Sequence, residues 1–110
     1  MIFDKEGNTT IVMQERTSLH TFLANLEEAY PRLRDDHLII NLSSLSSFRP
    51  RDVRDFLELS NRHRGRGKSF VLVSEAIPFD EVPEEIHLVP TLQEARDLIE
   101  MEDIERDLDL

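Results

Sequence analysis

Cysteine is missing from this 110-residue chain, which excludes disulfides and thiolate metal sites. No apolar run approaches the roughly 20 residues that a bilayer-spanning helix needs. No charged-then-apolar leader opens the sequence, so a cytoplasmic protein without a membrane segment is expected. Glycine is scarce, at three residues, and none forms a rich run before a helix, which removes a phosphate-cradling loop. The serines lie in no Gly-x-Ser-x-Gly elbow. The four histidines (His20, His37, His63 and His87) are far apart and form no ligand pair. The carboxylates of 80–85 and 102–109 lack the alternating ligands and glycine of a calcium loop, and Asp35-Asp36 beside His37 reads as a turn into a strand. With no repeat and no linker, residues 1–110 are expected to form one domain around one core. No catalytic set, metal site or cofactor site emerges, and an enzyme is not expected.

What is abundant is charge. One third of the residues are ionisable, and the net charge of −10 is unevenly spread. Residues 1–73 are close to neutral, whereas residues 74–110 hold 13 Asp/Glu against two Lys/Arg. A field of that sign repels phosphate backbones and argues against nucleic acid as a partner. The run from Arg49 to Lys68 is the local exception, with seven of the 13 basic residues. Asp52, Asp55 and Glu58 are interleaved with them, as on a solvated helix face. "RHRGRGK" within it has no aromatic residue on which a base could stack.

Apolar patterning then gives the elements. Ile2 to Lys5 and Thr10 to Gln14 read as a hairpin around Gly7-Asn8, a turn that tolerates positive φ. Leu19, Phe22, Leu23, Leu26, Tyr30 and Leu33 recur at helical spacing, with Thr17 or Ser18 as cap and Pro31 predicted to end the helix near Tyr30. His37 to Leu42 is a continuous apolar run, as in a strand covered on both faces. A second helix is predicted over Pro50 to Arg64, burying Val53, Phe56, Leu57 and Ser60 and stopped by Gly65 and Gly67. Phe70 to Val73 and Ile86 to Val89 read as strands, and Thr91 with Glu94 forms a capping box for a last helix. Strands alternating with helices predict an α/β fold with a mixed, mostly parallel sheet of about 4–5 strands and helices packed on it.

The last helix poses a problem. At about 100° per residue, Leu92, Ala95 and Ile99 share one side while Met101, Ile104 and Leu108 cluster on roughly the opposite one. One straight helix cannot bury both stripes in the same core. Either residues 101–110 form a frayed acidic tail, or the chain breaks near Glu100 and folds back, or the second stripe is offered to another chain.

The run "LIINLSSLSSFRPRDVRDFLELSNRHRGRGKSFVLV", Leu38 to Val73, resembles the STAS domain family of anti-sigma factor antagonists and sulfate transporters. The family's strand reads apolar-apolar-apolar-Asp-Leu-Ser, matched by Leu38 to Ser43 with Asn41 in place of the aspartate. "HRGRGKSFVLV" matches its basic turn and next strand, and "PTLQEA", Pro90 to Ala95, matches the start of its late helix. The order of elements agrees along nearly the whole chain. The resemblance implies a STAS-like fold and a regulatory module that binds a protein partner, with homo-oligomers open as a further case. It also exposes a departure. Aligned without gaps, the family's Asp-Ser-Ser-Gly falls on Arg49-Pro50-Arg51-Asp52, so the phosphorylatable serine of the antagonists is absent and its glycine is Asp52. Phosphate adds nearly two negative charges at that helix start, where this chain carries permanent positive charge. Ser46, Ser47, Phe48, Arg49, Arg51, Asp52 and Arg54 are therefore the candidate docking residues, joined by Met101, Ile104 and Leu108. Ser43, Ser44, Ser46 and Ser47 suit hydrogen bonding to loop backbone. Ser47, closest to the helix, is the candidate for phosphorylation.

Short chains with "LSNQHR"-like and "PTLxEAxDxIEMEEIERDL"-like segments look very similar to "LSNRHR" and "PTLQEARDLIEMEDIERDL", and some carry the label ribonuclease Z. That enzyme needs a His-x-His-x-Asp-His cluster for two metals, and no such cluster is present. An RNA-processing or RNA-binding protein is thus the alternative that the sequence chemistry disfavours, and a non-catalytic interaction module is the expected function.

Overall fold

A computed structural model describes residues 1–14, 17–43, 45 and 49–108, with the side chain of Phe79 left out. Five strands line up in the order in which the chain makes them, β1 (Ile2–Glu6), β2 (Thr9–Met13), β3 (His37–Asn41), β4 (Phe70–Val73) and β5 (His87–Val89). β1 and β2 are an antiparallel hairpin, and β2 through β5 are parallel. Gly7 turns the hairpin at φ +61, a conformation that costs glycine little. The predicted α/β class and hairpin-first order therefore hold.

Alternation along the strands builds two cores. Val12, Leu38, Ile40, Phe70 and Leu72 project to one face, where α1 (Leu19–Leu33) and the second helix cover them with Phe22, Leu26, Tyr30, Val53, Phe56 and Leu59. Ile11, Ile39, Val71 and Val73 project to the other, under Ala95 and Ile99 of α3 (Leu92–Leu108). Both faces being covered is why these strands read as unbroken apolar runs.

Three expectations need correction. α1 does not stop at Tyr30 but runs through Pro31 to Leu33. A proline in the last turn removes one backbone donor, and burying Leu33 while Arg34 N–H closes on Tyr30 C=O keeps that turn helical. Of the two candidate caps it is Ser18 whose hydroxyl accepts from Thr21 N–H, at 3.2 Å. The second helix is not α throughout. Pro50–Phe56 is a 3-10 helix that passes into α2 (Leu57–Arg64). At three residues per turn, Val53 and Phe56 fall in one line onto the core, and Leu59, Ser60 and His63 continue the buried side in α2, with Leu57 only half-buried. The last helix neither frays nor breaks among the described residues, being continuous from Leu92 to Leu108.

Candidate protein-docking surface

The loop after β3 begins with a side chain that organises backbone. Asn41 Oδ1 accepts from Ser43 N–H at 3.0 Å and from the Ser43 hydroxyl at 2.7 Å, an Asx-type turn. Ser43 is thus occupied locally. Ser44, Ser46, Ser47 and Phe48 lie outside the described residues, so the candidate phosphorylation at Ser47 has no geometry to report. The chain re-enters at Arg49 in extended conformation, and Pro50 opens the 3-10 helix. Asp52 then closes the helix start on itself. Its carboxylate accepts from Arg49 N–H at 2.9 Å, and its own N–H donates to Arg49 C=O at 2.9 Å. This is an exposed capping contact, in the acidic-first-turn position that the helix dipole favours.

Arg49, Arg51 and Arg54 remain exposed around that start. Among the described residues the ion-paired cations are Lys5, Arg62, Arg64, Arg66, Arg96 and Arg106, and none of these three is among them. The contrast with the rest of the basic run is sharp. Arg62 pairs with Glu27 at 2.8 Å, Arg66 with Asp35 at 3.2 Å and Arg64 with Glu102 at 3.4 Å. Arginines that looked alike in sequence divide into three that hold helices to neighbours and three that face outward at one helix start.

At the C-terminal ends of β3 and β4, an open cleft of about 690 Å³ is lined by Asn41, Ser43, Leu45, Ser74, Thr91 and Leu92 among others. Among the described residues Glu75 is its ionisable lining group. Ser74 Oγ accepts from Ala76 N–H at 3.2 Å; Thr91 Oγ1 accepts from Glu94 N–H at 3.1 Å, the forward half of the predicted capping box, while the Glu94 carboxylate accepts from the Thr91 hydroxyl at 3.0 Å.

α3 answers the two-stripe problem. Met101, Ile104 and Leu108 are 58%, 52% and 75% exposed, on the side away from the sheet. The inward positions of the same turns are polar, and sequence reasoning missed them. Glu102 accepts from the buried Ser69 hydroxyl at 2.6 Å and lies 3.2 Å from His87 Nδ1 and 3.4 Å from Arg64 Nη1. Burial pushes its carboxyl up, but hydrogen bonds from His87 and Ser69, with the charges of His87 and Arg64, outweigh that and hold it at about 2. Asp103 Oδ1 lies 3.0 Å from His37 Nε2, and Arg106 donates to Asp103 at 3.0 Å and to Ser69 Oγ at 2.9 Å. His37 Nδ1 accepts from Ser69 N–H at 2.9 Å, so the ring carries its proton on Nε2 and gives it to Asp103. Burial lowers the His37 pKa against the pull of Asp103. Parallel strands bring these groups to one end of the sheet, His37 opening β3, Ser69 immediately preceding β4 and His87 opening β5; only their places at strand starts could have signalled it. Among the described residues, no group of three His, Asp or Glu side chains is placed to hold a metal ion, and no helix is long and apolar enough to cross a membrane.

Two solved structures superpose on nearly the entire chain. One, a proposed anti-sigma factor antagonist from Thermotoga maritima, is 13% identical with a TM-score of 0.64 and covers 90% of this chain and 93% of its own. The other, a serine-to-glutamate variant of RsbS from Moorella thermoacetica, is 19% identical with a TM-score of 0.66, covering 96% and 97%. The fold is that of a STAS domain. No protein-family model matches the chain, and no curated protein is similar to it in sequence. At such low identity the likeness establishes STAS architecture, and the function of this chain must be argued from its own surface.

Proposed function

We propose that this STAS-type chain is a non-catalytic regulatory module that binds a protein partner through the start of its second helix, without the phosphoserine switch of the antagonists. The observation that carries the reading is the set of exposed guanidinium groups of Arg49, Arg51 and Arg54, paired with no carboxylate among the described residues, in and beside a helix start that Pro50 and Asp52 hold in place. Positive charge at a helix N-terminus opposes the helix dipole, a cost of about 0.3–1 kcal/mol per exposed charge. Arg49 and Arg51 sit at that start and Arg54 about one turn further on, and exposed cations so grouped suit an acidic partner surface, whose approach they would steer. Support also comes from the fold shared with the proposed anti-sigma factor antagonist of Thermotoga maritima. An RNA-binding reading draws on the same basic run, but Arg62, Arg64 and Arg66 are each engaged by a carboxylate.

The test is affinity capture from native cytosol with the wild-type chain and a variant in which Arg49, Arg51 and Arg54 are all changed to Glu. A protein retained by the wild type and lost by the variant supports the proposal. Equal recovery by both, or no protein retained by either, overturns it.

A further inference from the structure

We infer that the outward face of α3 is a second docking surface, and that its occupant is a basic amphipathic helix of a partner protein. The inference rests on reading the chain as an interaction module, but it uses different residues from the α2 start.

The second half of α3 reverses the usual arrangement of a surface helix. Its polar residues Glu102, Asp103 and Arg106 face the sheet and are tied to Ser69, His37, Arg64 and His87. Its apolar residues Met101, Ile104 and Leu108 face away and are more than half exposed. Packing therefore does not account for them. Their spacing of three and then four residues is that of anchors laid along one helix into an apolar seam, and methionine at one end adapts to irregular contacts.

The charges around the stripe decide what can cover it. Asp97, Glu100, Glu105 and Asp107 are exposed along α3, with Glu94 a turn further back. The two cations of the helix are engaged elsewhere, Arg96 by Glu6 at 2.9 Å and Arg106 by Asp103 at 3.0 Å. The exposed charged side chains that α3 itself sets along the stripe are thus carboxylates. A second copy packing α3 against α3 would set carboxylate against carboxylate across the seam, which is destabilising. A helix with an apolar ridge bordered by Lys or Arg satisfies both the seam and its border.

The test measures binding of a synthetic helical peptide of leucine and lysine, with leucine confined to one face, to the full chain by fluorescence anisotropy. The expected result is binding that weakens roughly tenfold or more in the Met101→Ser, Ile104→Ser, Leu108→Ser triple variant. Amide shift changes should be confined to α3, and the same peptide with glutamate for lysine should not bind. Because the three residues are exposed, circular dichroism of the variant should match the wild type; the shift map on the wild type decides the matter if it does not. Absent binding, equal binding by the serine variant, or shift changes away from α3 overturns the inference. So does a wild-type dimer in sedimentation that the serine variant disperses, which would make the occupant a second copy. The Arg49, Arg51, Arg54 variant should bind the peptide normally, so each surface can fail without the other.

Discussion

His63 Nδ1 lies 2.7 Å from the Tyr30 hydroxyl, while its Nε2 lies 2.7 Å from the carbonyl oxygen of Asp36. The carbonyl can only accept, so Nε2 carries the proton and Nδ1 accepts from the tyrosine. A neutral, wholly buried imidazole thereby ties α2 to α1 and to the turn before β3, with its ring edge-on to Tyr30 and Phe70.

This imidazole makes the fold acid-sensitive. Burial, opposed by the Asp36 carbonyl, takes its pKa from 6.5 down to about 4. Below pH 6.5 the unfolded chain takes up a proton that the folded chain refuses until about pH 4. Stability is therefore full above the upper value and falls through that window, by about 3 kcal/mol at roughly 1.4 kcal/mol per unit. Urea midpoints across the window should show the fall, reinforced by His37, whose pKa is lowered in the same sense. His63→Phe should cost about 2 kcal/mol at neutral pH by stranding the tyrosine and carbonyl, and should flatten the profile. A wild-type midpoint that stays level would falsify the assignment.

Glu102 sets a second, lower window. Its carboxyl is held at about 2 against a usual 4.5. The unfolded chain binds this proton first, so the contribution is complete above the upper value and disappears as pH falls to the lower one. Its size is on the order of 2–3 kcal/mol. Glu102→Gln should remove that part of the acid dependence and lower the neutral-pH midpoint. Retention of the full wild-type slope by the variant would mean that Ser69, His87 and Arg64 do not hold the carboxylate.

Asp52→Ala should lower stability by about 1 kcal/mol through loss of the Arg49 N–H contact and of negative charge in the first turn. Thermal unfolding of the alanine and asparagine variants separates the two, because asparagine keeps an acceptor but not the charge. No change in either would show that the helix start holds without its cap.

Phe56 meets Phe22 edge-on at a ring distance of 6.3 Å where the second helix crosses α1, and both are fully buried. Phe56→Leu should cost about 1–2 kcal/mol, and Phe56→Ala about 3–5 kcal/mol, by urea denaturation. Equal midpoints for wild type and alanine variant would contradict this packing.

Much of the architecture was readable before any coordinates. Strand cores such as "LII" and "FVLV" are apolar without interruption because both faces are covered, and Gly7, Pro50 and Thr91 mark boundaries by their own backbone chemistry. Pro31 misled because a proline forbids one hydrogen bond and not a whole turn. The 3-10 start is not legible because Val53 and Phe56, three residues apart, fit either helical period. At the docking surface, charge was legible but partnership was not. Arg51 and Arg66 look the same in a string of letters, and only the fold brings Asp35 to one of them. Counting apolar residues found the outer stripe of α3, whereas the inner contacts of Ser69 with Glu102 and Arg106 join residues more than 30 positions apart.

The two margins of the sheet are guarded differently. β1 forms one border, exposed along its whole length, with Asp4, Lys5 and Glu6 in succession. β5 forms the other, only three residues long and followed by Pro90. A neighbouring chain seeking to extend the sheet would confront consecutive charges on one border and a template too short to hold it on the other. Concentrated solutions of this molecule should therefore resist the strand-by-strand growth that leads to fibrils.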